Sequence, residues 1–106
     1  MSKDLIFTVE FNVKPEREDE FMEALLHVLN RMSEEDTFVS TYLQRNLINP
    51  HKIMIFERWA EPSWEVFRQN HLLTKDYRKD YEARLPEWLV EERKFAMYEP
   101  LQEWVK

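Results

Sequence analysis

Residues 5–13 alternate: Leu5, Phe7, Val9, Phe11 and Val13 are apolar, and Ile6, Thr8, Glu10 and Asn12 lie between them. A period of two sends successive side chains to opposite faces, which predicts a strand with one wholly apolar face. Pro15 follows where a first helical residue tolerates it, and Glu16, Glu18, Asp19 and Glu20 set negative charge against the positive end of a helix dipole. The period then changes. Phe21, Leu25, Val28 and Met32 recur at helical spacing, flanked by Met22, Leu26 and Leu29. They predict a helix running to about Glu35, with an apolar stripe broad enough to lie on a sheet.

"TFVSTYLQRN" (Thr37 to Asn46) and "KIMIFERWA" (Lys52 to Ala60) are rich in β-branched and aromatic residues and read as a hairpin. The loop between them must turn on Asn and Pro, so Asn46 or Asn49 is expected in the left-handed conformation. Ile53, Met54, Ile55 and Phe56 are consecutive and apolar, as in a strand covered on both faces. Pro62 opens a short helix through about His71. Thr74 is placed to cap another that carries Tyr77, Tyr81 and Leu85 until Pro86 interrupts it. "RKFAMYEP" (Arg93 to Pro100) reads as a last strand.

The order strand, helix, strand, strand, helix pair, strand is that of an α+β, ferredoxin-like split βαβ fold: a four-stranded antiparallel sheet with helices on one face. A single domain over residues 1–106 is expected. The helices can hide one face only. The other carries Met54 and Phe56 or Ile53 and Ile55, depending on register, and an apolar patch of that size marks an interface. A homodimer packed sheet to sheet follows. The tail 101–106, with Leu101, Trp104 and Val105, is expected to cross to the partner.

Composition narrows the function. The 106 residues hold 15 basic and 21 acidic side chains, a net charge of -6, which repels phosphate backbones, so no nucleic-acid partner is expected. No apolar run approaches the roughly 20 residues needed to span a bilayer, and neither a signal-peptide pattern nor a basic amphipathic segment is present. A cytoplasmic location and no membrane partner are expected. The absence of cysteine rules out disulfides, thiolate nucleophiles and thiolate metal sites; the absence of glycine rules out dinucleotide and P-loop fingerprints.

The chemistry concentrates near His71. On a helix, Trp64, Phe67 and His71 share a narrow arc that faces the sheet, while Arg68 and Asn70 turn away. If Glu57 or Trp59 points to that face, the cleft gains an aromatic wall, an imidazole and a carboxylate, suited to a flat organic molecule. Histidine is the side chain whose charge changes nearest neutral pH, which suits proton transfer. The structural alternative is that His71 is a packed core residue, that Glu57 and Arg58 form a cross-strand ion pair, and that Trp59 and Trp64 are core first and pocket second. Tyr77 and Tyr81 serve equally as a packing stripe. His27 falls off its helix's apolar arc and His51 lies in a loop, so the three ligands of a catalytic zinc site are not assembled and no metal is expected.

Glu57, Arg58 and Trp59, then Pro62, Phe67 and His71, together with Lys14 and Pro15 closing the first strand and the hairpin from Tyr42 to Pro50, resemble the antibiotic biosynthesis monooxygenase family over nearly the whole chain. The resemblance implies a dimeric α/β barrel. It also implies a cofactor-independent monooxygenase-like protein acting on a small aromatic or enolisable compound. His71 would be its catalytic residue, and Trp59, Glu57, Tyr42 and Phe67 its substrate contacts. Deprotonation would leave a phenolate or enolate able to react with O2 without flavin or metal, the protein supplying binding and exclusion of water. The alternatives are a non-catalytic small-ligand-binding or interaction dimer, and a haem-degrading monooxygenase.

Overall fold

The alternating N-terminal segment becomes β1 (Leu5–Asn12) in a computed structural model that describes residues 4–106. A 3-10 turn at Pro15–Arg17 leads into α1 (Glu18–Met32), followed by β2 (Phe38–Arg45) and β3 (Lys52–Trp59). One α-helical turn, α2 (Trp64–Phe67), widens into a π-helical turn at Arg68–Leu72; α3 (Asp76–Trp88) and β4 (Lys94–Tyr98) complete the chain. The sheet order is β2-β3-β1-β4, antiparallel throughout. This is the ferredoxin-like α+β arrangement, with the two most buried strands at the centre.

Register decides which face each side chain sees. Phe7 pairs with Glu57, Val9 with Ile55 and Phe11 with Ile53, all towards the helices, whereas Thr8 pairs with Phe56 and Glu10 with Met54 on the outer face. Ile53 and Ile55 are therefore core residues, and Met54 and Phe56 are half-buried on the outer face. The α1 stripe of Phe21, Leu25, Val28 and Met32 is wholly buried against the sheet. Phe11 and Phe21 meet at 5.1 Å between ring centroids, and Phe21 reaches Trp88 of α3 at 6.1 Å.

Several ends differ from the expectation. α1 stops at Met32 because Glu34 and Glu35 bond back only three residues, to Arg31 (3.2 Å) and Met32 (3.0 Å), which tightens the chain towards β2. No described residue has positive φ. The hairpin loop turns instead on the Asn46 side chain, which accepts from the Ile48 and Asn49 amides, both at 2.8 Å. Thr74 does not cap α3. Its hydroxyl donates to the Gln69 and Asn70 carbonyls at 2.9 Å, closing the π turn, and α3 starts after Lys75 with no side-chain cap. Nor does Pro86 interrupt α3, which runs to Trp88: so near the end proline forfeits one hydrogen bond, and buried Leu85 and Trp88 hold the last turn on the core. No helix among the described residues is long and apolar enough to cross a membrane.

Candidate functional site

Trp59 ends β3 on the helix-facing side and is fully buried. Ser63 then caps α2, its hydroxyl accepting from the Val66 amide at 3.2 Å, which fixes where the turn carrying Phe67 and His71 begins. His71 lies between two aromatic rings. Its centroid is 4.6 Å from that of Trp59 and 5.2 Å from that of Phe67, the latter stacked at 29°. Nε2 is 2.9 Å from Glu61 Oε2 and 3.3 Å from the Thr37 hydroxyl, which itself donates to Glu61. A carboxylate only accepts, so the hydrogen in this contact sits on Nε2. Nδ1 is buried with no hydrogen-bond partner and lies 4.0 Å from Glu35 Oε2. Glu35 is in turn held by Lys75 (3.1 Å) and Tyr77 (2.8 Å).

Phe67 also borders a small cavity. A cavity of about 10 Å³ sits between sheet and helices, with polar walls made by Glu57, Arg78, Tyr81 and Arg93. Phe7, Phe67, Leu72 and Phe95 supply part of its apolar wall. That volume holds about one water molecule. His71 is not among its lining residues. The imidazole is thus packed, and the carboxyl that meets the cavity is Glu57.

Glu57 is buried, with Phe7 and Thr41 as its cross-strand neighbours, and accepts a hydrogen bond from the Trp59 indole at 3.0 Å. Burial pushes its carboxyl up to about 7, against the pull of the Trp59 N–H and of the positive Arg78 and Arg93. A carboxyl titrating near neutrality can both accept and return a proton. Burial likewise raises the Tyr81 phenol well above its usual value, which leaves it a neutral hydrogen-bonding group. Glu82 takes Arg78 Nη2 at 2.9 Å and both terminal nitrogens of Arg93, one of them at 3.0 Å.

Of the residues singled out in the sequence, Glu57, Trp59, Phe67 and His71 are brought together. Tyr42 is not: it lies on the outer face, 58% exposed, with its ring 6.3 Å from Phe56. The expected Glu57–Arg58 ion pair does not form, because strand neighbours point to opposite faces. Arg58 instead donates to Asp4 (2.6 Å) and Glu103 (3.0 Å). Arg78, Glu82, Arg93 and Glu61 went unnoticed in the sequence. The i, i+4 spacing of Arg78 and Glu82 beside Tyr81 was the available signal for the first two. Among the described residues no group of three or more His, Asp or Glu converges as metal ligands would. Haem ligation would require His71 to leave Glu61 and both rings, so the residues present do not fit that group.

The sequence profile of antibiotic biosynthesis monooxygenases matches residues 5–72, from β1 through the π turn. The chain belongs to the antibiotic biosynthesis monooxygenase family. The matched segment carries Glu57, Trp59, Phe67 and His71, whereas Arg78, Tyr81, Glu82 and Arg93 lie beyond it. Comparison with curated protein sequences finds no match. Among solved structures, a conserved protein of Methanosarcina mazei Go1 is similar at 22% identity and TM-score 0.77, covering 92% of each chain. The Rv0793 protein of Mycobacterium tuberculosis is similar at 18% identity and TM-score 0.81, covering 94% of this chain and 97% of its own. A further structure, described as an antibiotic biosynthesis monooxygenase, gives 12% identity and TM-score 0.80 over 92% of this chain and 99% of its own. At such identities the likeness is one of fold.

Proposed function

We propose that this family member is a cofactor-independent monooxygenase of a small aromatic or enolisable compound, with Glu57 rather than His71 as the proton acceptor. The observation that carries the proposal is a buried carboxyl on the cavity wall, hydrogen-bonded by the Trp59 indole; its burial is what raises it to about 7. Proton removal from a phenol or enol gives an anion rich enough in electrons to react with O2. For an activated methylene, one oxygen atom becomes the new carbonyl and the other leaves as water with the two hydrogens. The substrate supplies all four electrons, so no external reductant enters. Phe67 walls the binding space, and His71 acts as a positioning residue by packing against Trp59, which in turn holds Glu57.

A cavity of about 10 Å³ admits no aromatic ring as it stands, so entry requires its cover to move. The π turn at Arg68–Leu72 is the candidate cover, since it carries Leu72 of the wall and π turns recur at functional sites. The proposal includes a cytoplasmic homodimer joined through the outer sheet face of Met54, Phe56, Tyr42 and Tyr98, with the tail 101–106 reaching the partner. The test is oxygen uptake with a panel of electron-rich phenols and 1,3-dicarbonyl compounds. Glu57→Gln should lose about a hundredfold or more in rate with its fold retained; uptake by the variant equal to that of the native protein would overturn the assignment. The enclosed His71 and the one-water cavity favour a second reading, a dimer in which these residues only pack. No panel compound would then be consumed.

A further inference from the structure

The charges around the cavity do not balance. Arg78 and Arg93 share one carboxylate, Glu82, and Arg93 takes both of its oxygens. Arg78 is left with one shared bond to Glu82 Oε2 and a contact from Nη1 to the Met32 thioether at 3.2 Å, a weak acceptor. Its Nε is buried with no hydrogen-bond partner, on a side chain only 7% exposed. Two guanidiniums against one carboxylate leave one positive charge on the cavity wall. Glu57 takes its hydrogen bond from the Trp59 indole and none from either guanidinium, so it leaves the free donors of Arg78 unpaired. An underused guanidinium in a buried site is costly to the fold, and a bound anion would offset that cost.

We infer that the compound this cavity receives carries a carboxylate, and that Arg78 binds it through the donors Glu82 leaves free. The inference rests on the proposed function for the location of the site, and it narrows the substrate class from small aromatic or enolisable compounds to small aromatic or enolisable acids. Arg78 suits the role because its fork can present two N–H groups to two oxygens, and a buried charge-assisted pair is far stronger than one in water. Arg93 stays with Glu82 and stacks over Phe95, 4.9 Å from its centroid, which keeps the second guanidinium in place while the first turns to the ligand. The carboxylate end would then sit towards α3 and the reacting end towards Glu57 on β3.

The experiment compares benzoate with benzamide, which has the same shape and no charge, by calorimetry and by the shift of the Trp59 indole N–H signal in the native protein. Benzoate should bind at least about tenfold more tightly and move the Trp59 signal, and Arg78→Gln should abolish that preference. Equal affinity for the two compounds, no binding of benzoate at millimolar concentration, or binding that leaves the Trp59 signal in place would overturn the inference. The comparison in the native protein decides the matter even if Arg78→Gln does not fold. Oxygen uptake is read separately. A benzoate preference without oxygen uptake by any panel acid contradicts the monooxygenase proposal alone, and oxygen uptake with no benzoate preference contradicts the carboxylate assignment alone.

Discussion

Replacing Glu57 by glutamine should change stability in a way that depends on pH. The carboxyl is wholly enclosed and titrates at about 7 in the fold, against an ordinary 4.5 in the unfolded chain. Between these values the unfolded chain has released the proton and the folded chain still holds it. The folded state therefore binds more protons, and stability falls as pH rises through this window. At about 1.4 kcal/mol per tenfold in proton affinity, the ionised carboxylate costs the fold about 3 kcal/mol above pH 7. Glutamine is isosteric with the acid form, can accept the same Trp59 N–H, and carries no charge at any pH. Urea unfolding of both proteins at equal concentration should give stabilities within about half a kcal/mol at pH 4.5. At pH 8 the variant should be more stable by about 3 kcal/mol, a midpoint shift of roughly 1 to 3 M urea. A difference that does not vary with pH, or a native protein more stable than Glu57→Gln at pH 8, would refute the reasoning.

Other expected outcomes follow from the same geometry. His71→Ala removes a ring packed between Trp59 and Phe67 and leaves the buried Glu61 without its imidazole, so unfolding free energy should drop by about 3 to 5 kcal/mol; a loss below about 1 kcal/mol would show that the imidazole is not enclosed. Phe56→Glu places charge in the middle of the outer sheet face and should convert a dimer to a monomer in sedimentation velocity while leaving the circular dichroism spectrum intact. A native protein that sediments as a monomer would remove the dimer from the account.

The fold was legible because periodicity reports burial directly. β1 and α1 bury one face each over several turns or residue pairs, so their patterns survive any detail of packing. Helix ends were less legible, since they turn on which of two competing hydrogen bonds a side chain makes: Thr74 could cap α3 or close the π turn, and the sequence does not distinguish them. The site was half legible. Trp64, Phe67 and His71 were correctly turned towards the sheet, but the inward direction of Glu57 follows only from its register with Phe7 and Thr41. His71 drew attention as a residue type, whereas its enclosure depends on Glu61 and Thr37, which are 10 and 34 residues away along the chain. Arg93 lay hidden in a charged run before β4, and only the antiparallel return of that strand beside β1 brings it to the cavity.

The proposed chemistry depends most on the state of a single carboxyl, Glu57, and carbon-13 NMR of the glutamate side-chain carboxyls observes it directly. The resonance that disappears in Glu57→Gln should titrate with a midpoint at about 7, well above the ordinary 4.5. A midpoint near that ordinary value would contradict the account, because such a carboxyl would be solvated and could not serve as a base poised at neutral pH.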